Sequence, residues 1–309
     1  MKPSPALGRA TAAGFFALLI WSSSVAVIRA LSESVGALTA AATAVTLGGA
    51  ISVAYGWARG TSPLKMLGLP RAYLIGCGST FVICNVSLYL AVGWSGNRST
   101  TLVAGLVNYL WPALTVAFSV PILHRRARWT LVSGCLLAVA GSGVAMLGGG
   151  QFQWSQLAGG GWQQLAPLCL ALAAAVSWGL YSNFAVRWGR PDAGAVPLFL
   201  LAGGGALWLL WLTGAEAGRW TVKAVLELAV LAVASLGLAY GLWDYGMRRG
   251  NSLALGLAAY FMPVASLAVA CAYLGVWPGA NLLVGCLLVA AGAWVCRRSI
   301  VPEPCPGTA

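Results

Sequence analysis

The stretch VNYLWPALTV (residues 107–116) places an asparagine, a tyrosine, a tryptophan and a proline inside a run that is otherwise apolar enough for a membrane. A second stretch, AAYFMPVASL (258–267), lies 151 positions further along the chain and repeats the tyrosine and the proline. A proline inside a helix removes one backbone hydrogen bond and bends the helix. Two such interruptions at matching places predict an internal repeat in which each half contains one broken helix.

The match extends well beyond these two stretches. Residues 102–141 align without gaps to residues 253–292, and fourteen of the forty positions are identical. Leucine and alanine matches are common in so apolar a chain, but composition does not explain the paired tyrosines, prolines, cysteines and glycines. The alignment places the fourth apolar run of the chain on the ninth, so each unit contains five runs. Because five is odd, the second unit must enter the membrane from the opposite side.

The composition is that of an integral membrane protein. Of 309 residues, 60% are hydrophobic and only 8% are charged, and the mean hydropathy is +0.83. A water-soluble domain with so few charged residues could not cover its surface with polar side chains. The eight cysteines include no CxxC pair and the chain has one histidine, so we expect neither a disulfide framework nor a metal site, and no cofactor.

Ten apolar runs are long enough to cross a bilayer as helices, since its hydrocarbon core is about 30 Å thick. The sequence therefore predicts an all-α polytopic membrane protein of ten transmembrane helices in two inverted five-helix repeats. The predicted spans are 12–31, 36–57, 72–93, 100–122, 130–148, 164–186, 195–213, 224–246, 251–274 and 279–296. The predicted units are a first repeat (1–148), an external linker (149–163), a second repeat (164–298) and a cytoplasmic tail (299–309).

The basic residues predict the orientation, because connections rich in lysine and arginine stay on the cytoplasmic side. With both termini cytoplasmic, 14 of the 18 lysines and arginines lie inside. The four that lie outside are Arg29, Arg98, Arg219 and Lys223. The net charge of +12 is scattered between apolar runs rather than massed on one face, so we expect a lipid bilayer and no nucleic acid as the surroundings.

Polar and aromatic side chains surround the two breaks and recur in the middle of other spans. Asn108 and Trp111 are three residues apart, which puts a ring and an amide on one helical face. We expect Pro112 and Pro263 to be bending points for gating, although they could also serve packing alone. The candidate substrate-binding residues are Trp21, Asn85, Tyr89, Asn108, Tyr109, Trp111, Trp178, Tyr181, Asn183, Tyr240 and Tyr260. For the asparagines the alternative is interhelical hydrogen bonding.

The distribution of acids indicates the class of substrate. Pumps for cationic drugs and proton-coupled carriers usually keep a carboxylate in the middle of the membrane. Here the six acids lie in loops, tails or near span ends, at Glu33, Asp192, Glu216, Glu227, Asp244 and Glu303. A cavity with rings, amides and hydroxyls fits a solute without net charge, such as a zwitterionic aromatic amino acid. The sequence favours facilitated diffusion over ion coupling, and it leaves the oligomeric state open.

Three stretches carry a resemblance to a known family: LLIWSSSVAVIRA (18–30), GLVNYLWPALTVAFS (105–119) and GCLLAVAGSGVAML (134–147). Together with the repeat, they resemble the EamA-type drug/metabolite transporter superfamily, and within it the YddG-type aromatic amino acid exporters of bacterial inner membranes. The resemblance implies a basket-shaped helical bundle that exports aromatic amino acids. It also implies a cavity lined by Trp21, Tyr109, Trp111 and Trp178.

Three other functions remain as alternatives to the amino acid exporter. A multidrug or metabolite exporter of broader specificity would share the same architecture. A channel is less favoured, because paired broken helices in inverted repeats are typical of carriers. An intramembrane enzyme would need a catalytic pair within the bilayer, and the sequence offers no mid-span acid, lysine or histidine for one.

Overall fold

The computed structural model describes residues 5–148, 161–190, 194–214, 216, 218–251, 254–255 and 258–301. These residues form helices and connections, and the one pairing of extended backbone among them joins Ala127 to Ile300. The predicted linker 149–163 lies outside the described residues up to position 160, and the predicted tail lies outside them beyond residue 301.

Seven α-helices are described in the first half of the chain, between residues 5 and 148. Span three begins with a π-helical turn, Tyr73–Cys77, that continues directly into an α-helix, and span four consists of two helices separated by Tyr109 and Leu110. The helices are α1 (Pro5–Val35), α2 (Ala37–Ala58), α3 (Pro63–Leu67), α4 (Gly78–Gly93), α5 (Arg98–Asn108), α6 (Trp111–Leu123) and α7 (Thr130–Gly148).

The second half has a similar succession of elements. A nine-residue π-helical segment, Val230–Leu238, joins two α-helices of span eight, and a short 3₁₀ turn, Ala259–Phe261, precedes the helix of span nine. The helices are α8 (Trp162–Trp188), α9 (Val196–Trp211), α10 (Val222–Ala229), α11 (Ala239–Arg249), α12 (Met262–Leu274) and α13 (Ala280–Ser299).

Among the described residues, seven helical segments are long and apolar enough to cross a membrane, and three further apolar helices are shorter. The seven are Gly8–Val35, Ala37–Ala58, Tyr73–Gly93, Arg98–Leu123, Leu165–Trp188, Val222–Trp243 and Ala280–Ser299; the three are Thr130–Ala145, Val196–Trp211 and Ala259–Leu274. Each of the ten predicted spans overlaps one of these segments. The chain is therefore an all-helical polytopic membrane protein.

The helices of the two halves pack against each other rather than forming separate bundles. Helix α7 lies along α13, and α2 lies along α9. Helix α8 packs against α4 and α6, while α1 packs against α11 and α12. The core between them is built mainly from small and branched apolar side chains. It also contains the ring of Phe81, which is completely buried.

Glycines allow the close approach of α7 and α13. A Cβ atom added at Gly141 would lie 2.7 Å from the carbonyl oxygen of Gly285, and one at Gly292 would lie 2.5 Å from the backbone nitrogen of Ala138. These separations leave no space for a side chain. Small residues are the usual means of bringing helix backbones together in membranes, where van der Waals packing drives association.

The two helices that contain the repeated prolines, α6 and α12, begin in the same way. Pro112 lies in the first turn of α6 and Pro263 in the first turn of α12. A proline is tolerated there because the backbone N–H that it lacks has no helical acceptor. The bend therefore falls just before each proline, at Tyr109–Leu110 in one half and at the 3₁₀ turn in the other. Each of the two helices is 13 residues long.

Candidate functional site

Seven aromatic side chains from five helical segments form a group, here called the aromatic cluster, and Phe81 connects this group to a further ring, Phe199 on α9, at 5.9 Å. Adjacent rings have centroids 5.2 to 6.3 Å apart and are tilted or edge-on to each other. These separations and angles are those that aromatic pairs prefer. The members of the cluster are Trp21 on α1, Phe81 on α4, Trp111 on α6, Trp178 and Tyr181 on α8, and Tyr240 and Trp243 on α11.

Trp178 is the centre of the aromatic cluster. Its ring centroid lies 5.2 Å from Tyr181, 6.1 Å from Tyr240, and 6.3 Å from both Phe81 and Trp111. The side chain is only partly buried, although it contacts four other rings. A large aromatic surface that is not fully covered by the protein can bind the ring of a ligand.

Trp21 extends the cluster to α1. Its ring lies 5.2 Å from Tyr240 and 5.8 Å from Trp243. The indole Nε1 donates a hydrogen bond to the carbonyl oxygen of Ser235 at 3.0 Å, and the hydroxyls of Ser24 and Ser235 are also 3.0 Å apart. Ser235 belongs to the π-helical segment of span eight. The hydrogen bonds therefore fix α1 against that segment and orient the Trp21 ring.

The polar side chain closest to the cluster is that of Asn85 on α4. Its Nδ2 donates to the carbonyl oxygen of Phe81, one turn earlier, at 3.1 Å, and the residue is buried. The Tyr240 hydroxyl lies near the same side chain. An amide and a hydroxyl thus stand beside the rings, and both can bind polar groups of a small molecule.

Asn183 on α8 forms interhelical hydrogen bonds. Its Nδ2 donates to Gly179 in its own helix at 2.8 Å and to the carbonyl oxygen of Thr115 on α6 at 2.9 Å. The side chain is 2% exposed. The bond to Thr115 holds α8 against α6, which is the interhelical role that the sequence left open for the asparagines.

The other predicted residues show no ring contact with the aromatic cluster in the part of the chain that the structure describes. Tyr109 is buried, and with Ser266 on α12 it lines a cavity of about 20 Å³, room for about one water molecule. Tyr260 is buried beside Arg297. Tyr89 is buried in the core, and Asn108 is half-buried at the end of α5.

Phe81 and Trp243 belong to the aromatic cluster but were not among the predicted binding residues. Phe81 has no polar atom and resembles any other apolar residue of its span, so only its position four residues before Asn85 could have indicated it. Trp243 lies near the end of span eight, where tryptophans usually anchor a helix at the membrane surface. Its contact with Trp21 depends on the packing of α11 against α1.

An ionic network joins several elements at one end of the molecule, the end predicted to be external. Arg98 bonds Glu33 through Nη2–Oε2 (2.7 Å) and Nε–Oε1 (3.0 Å), and Arg29 donates from Nε to the same Oε1 at 2.8 Å. Arg98 also donates from Nη1 to the carbonyl oxygen of Leu274 at 2.6 Å, and Arg29 donates to that of Ser95. The network therefore links α1, the α4–α5 connection, α5 and the last residue of α12.

A second carboxylate, Glu227, lies near the same end of α12. It is 4% exposed, and its Oε1 accepts a hydrogen bond from the Tyr273 hydroxyl at 2.7 Å and lies 3.7 Å from the Lys223 amine. No hydrogen-bond partner among the described residues meets its Oε2. The sequence placed this acid near a span end but gave no sign that it is buried. It joins α10 to α12 next to the ionic network.

Comparisons with known proteins agree with this architecture. The sequence profile of the EamA-like transporter family matches residues 9–147 and 165–298. The aromatic amino acid exporter YddG of Ancylobacter novellus is 33% identical over 291 residues, which cover 93% of this chain and 96% of the relative. The protein of the same name from Escherichia coli K12 is 27% identical over 288 residues, with the same coverage of both chains.

A probable terminal-alkyne amino-acid exporter of Streptantibioticus cattleyicolor is 25% identical over 298 residues, and it covers 94% of both chains. One solved crystal structure superposes with a TM-score of 0.66 at 30% identity, over 94% of this chain and 98% of the other. The family profile matches both halves of the chain separately, and together the two matches account for most of its length. The chain belongs to the EamA-like transporter family.

Proposed function

We propose that the protein exports aromatic amino acids, and other neutral amino acids, across a bacterial inner membrane. The observation that carries the proposal is the aromatic cluster, in which α1, α4, α6, α8 and α11 all contribute rings. The names of relatives that match nearly the whole chain support the same substrate class. A transporter needs its substrate to contact elements from both halves, and the cluster meets this condition.

The chemistry of the cluster fits a zwitterion with an aromatic side chain. A substrate ring would stack against Trp178 and Trp111. The substrate ammonium would face the rings and the Tyr240 hydroxyl, which suits a cation near an aromatic surface. The substrate carboxylate would lie near the start of α6, since a helix N-terminus favours negative charge.

The acids that the structure describes leave the cluster without a formal charge. Glu33 belongs to the ionic network, and Glu227 pairs with Tyr273 and Lys223. The carboxylate of Glu216 accepts from the backbone nitrogens of Leu38 and Thr39 at the start of α2. A substrate with a net positive charge would therefore find no counter-ion beside these rings among the described residues, which favours an amino acid over a cationic drug.

The architecture we propose is ten transmembrane helices in two inverted five-helix repeats, with both termini cytoplasmic. The support is that α6 and α12 begin 151 residues apart, have the same length, and both end at a left-handed residue, His124 and Gly275. The packing supports the same symmetry. The repeat exchanges α7 with α13 and α2 with α9, and the two helices of each of these pairs pack against each other. The contact of α8 with α4 corresponds to that of α1 with α11, and α8 with α6 corresponds to α1 with α12.

Transport would follow an alternating-access cycle in which α6 and α12 swing about Pro112 and Pro263. In the structure, the ionic network attaches the end of α12 to α5 through Arg98. Arg249 aligns with Arg98 in the repeat. Its guanidinium carbon lies 5.8 Å from the ring centroid of Tyr245 on its own helix, so its guanidinium contacts a ring where that of Arg98 contacts another helix. The two halves thus differ at the equivalent position. We infer a state that is closed at the predicted external end.

A thermal-shift screen of the purified protein tests the substrate class. Tryptophan, phenylalanine and tyrosine should raise the melting temperature in a concentration-dependent way, because a ligand that binds only the folded state stabilises it by mass action. Alanine and aromatic amines without a carboxylate should have smaller effects. Stabilisation by lipophilic amines but not by amino acids would favour the broader multidrug exporter instead.

A further inference from the structure

Two distant segments are joined by backbone hydrogen bonds at the end of the molecule opposite the ionic network. The backbone nitrogen of Arg128 donates to the carbonyl oxygen of Ser299 at 2.8 Å, and that of Val301 donates to the carbonyl oxygen of Arg126 at 2.9 Å. Ala127 and Ile300 form the bridge between these bonds. The connection between α6 and α7 is therefore fixed against the end of α13.

This pairing gathers five arginines, here called the arginine cluster: Arg125, Arg126, Arg128, Arg297 and Arg298. The three acids whose side chains the structure describes are bound elsewhere, at the ionic network, at the start of α2 and beside Tyr273. Glu303 follows in sequence and lies outside the described residues. Asp192 and the side chain of Asp244 also lie outside the described residues. The pairing itself brings five positive charges together.

Several of these side chains are available to a ligand. Arg126 and Arg128 are exposed, and no hydrogen bond or ion pair of their side chains reaches another described residue. Arg298 is exposed and lies 4.3 Å over the ring of Trp294. Arg297 lies near Tyr260. Arg126, Arg128 and Arg298 thus offer planar guanidinium groups with no hydrogen-bond or ion-pair partner among the described residues.

The aromatic neighbours place the arginine cluster at the level of lipid headgroups. Trp129, next to Arg128, is 88% exposed, and Trp294 is 42% exposed beside Arg298. Exposed tryptophans at the ends of membrane helices lie in the interface between lipid tails and water. Guanidinium groups at that depth meet the phosphates of the adjacent leaflet, and arginine binds phosphate through two parallel hydrogen bonds.

We propose that the arginine cluster is a binding site for the headgroup of an anionic phospholipid. Its charge complements the phosphate and glycerol of phosphatidylglycerol or the two phosphates of cardiolipin, and Trp129 contacts the start of the acyl chains. A bound phosphate bridges the α6–α7 connection and the end of α13. It thereby reinforces the backbone pairing at the base of α6, one of the two helices that contain the proline bends.

The proposal is tested with the purified full chain in detergent containing phosphatidylcholine. Phosphatidylglycerol or cardiolipin is added, and the melting temperature and the lipids retained in native mass spectrometry are measured. We expect anionic lipid to raise the melting temperature by several degrees and to remain bound, because a ligand of the folded state stabilises it. Phosphatidylcholine and inorganic phosphate should do neither. An equal shift with inorganic phosphate would overturn the assignment to lipid.

The triple variant Arg126→Gln/Arg128→Gln/Arg298→Gln should lose the response to anionic lipid while keeping the parent melting temperature in phosphatidylcholine. Arg59→Gln is the matched control: Arg59 is exposed on another connection and lies 5.2 Å over the ring of Tyr55. A triple variant that responds to anionic lipid as the parent does would contradict the proposal.

The unmodified protein provides a second measurement if the triple variant does not fold. The rise in melting temperature produced by phosphatidylglycerol should shrink as sodium chloride is raised from about 0.05 to 0.5 M, because added salt weakens the attraction between exposed arginines and the lipid phosphate. A shift that is independent of salt would show that the lipid acts through its acyl chains, and it would overturn the site.

Discussion

Trp178 is the residue on which the aromatic cluster depends most, since it contacts four of the other six rings. Trp178→Ala should lower the transport rate by about fivefold, because an aromatic pair contributes roughly 1 kcal/mol and 1.4 kcal/mol is a factor of ten. Trp178→Phe should keep part of the activity. Trp220→Ala is the control, because Trp220 is half-exposed in a connection away from the cluster.

The measurement is export of labelled phenylalanine from cells that express equal amounts of each protein. Unchanged export by Trp178→Ala would remove the cluster from the transport path. A loss of export accompanied by a much lower melting temperature would instead assign Trp178 to packing.

His124 has a backbone conformation that disfavours its own side chain. Its φ of 54° lies in the left-handed region, where Cβ approaches the following carbonyl oxygen, and the equivalent position in the second half is Gly275 with φ 66°. His124→Gly should therefore stabilise the protein by about 1 kcal/mol. Gly275→Ala should destabilise it by a similar amount. Chemical denaturation in detergent measures both, and a destabilised His124→Gly protein would contradict the account.

The sequence predicted some members of the site and missed others for identifiable reasons. Trp21, Trp111 and Trp178 stood out because tryptophan in the middle of a span is unusual, and all three have ring partners in the structure. Phe81 could not be separated from the other apolar residues of its span. For Asn183 the sequence offered interhelical hydrogen bonding as the alternative, but its partner on α6 could not be foreseen, since it depends on how α8 meets α6.

At the scale of elements, the α7–α13 contact offers a test with its own control. A Cβ at Gly141 would lie 2.7 Å from a backbone oxygen of α13, whereas a Cβ at Gly143 would meet nothing within 4 Å. Gly141→Ala should destabilise the protein by about 2 kcal/mol, in the range known for overpacked interfaces. Gly143→Ala should be neutral or stabilising, because alanine is about 1 kcal/mol better than glycine in a helix. Equal melting temperatures for the two variants would show that the helices are further apart.

The ionic network gives a prediction about the movement of α12. Arg98→Gln removes the bonds to Glu33 and to the carbonyl oxygen of Leu274. The last turn of α12 should then open more often, and its amide hydrogens should exchange several-fold faster in hydrogen–deuterium exchange. Arg219→Gln is the control from the same end of the molecule. Identical exchange in the Arg98 variant and the parent would contradict a closing role for the network.

The elements were more predictable from sequence than their interruptions. All ten apolar runs overlap helical segments, because burial in lipid demands apolar side chains and a self-bonded backbone. The prolines indicated the bends in spans four and nine. The π-helical segments in spans three and eight left no signal, since an extra residue in a helical turn depends on packing with neighbours such as α1 and α2.

At the scale of the whole molecule, the aromatic cluster lies where helices of both halves meet, and the acids whose side chains are described are bound elsewhere. The ionic network attaches the end of α12 to α5. The internal sequence repeat is matched by the equal lengths of α6 and α12. Asn108 and Trp111 are among the positions that differ between the halves, because Ala259 and Met262 stand at the equivalent places. Substrate recognition is therefore expected to be asymmetric within a symmetric frame.

The most direct test of the proposed function is counterflow in proteoliposomes. Vesicles containing the purified protein are loaded with unlabelled tryptophan and diluted into radiolabelled tryptophan. The account predicts saturable accumulation of label that phenylalanine inhibits, and loss of this accumulation in Trp111→Ala protein whose melting temperature is unchanged. Uptake no greater than in empty liposomes, or a flux that increases without saturation as in a channel, would contradict it.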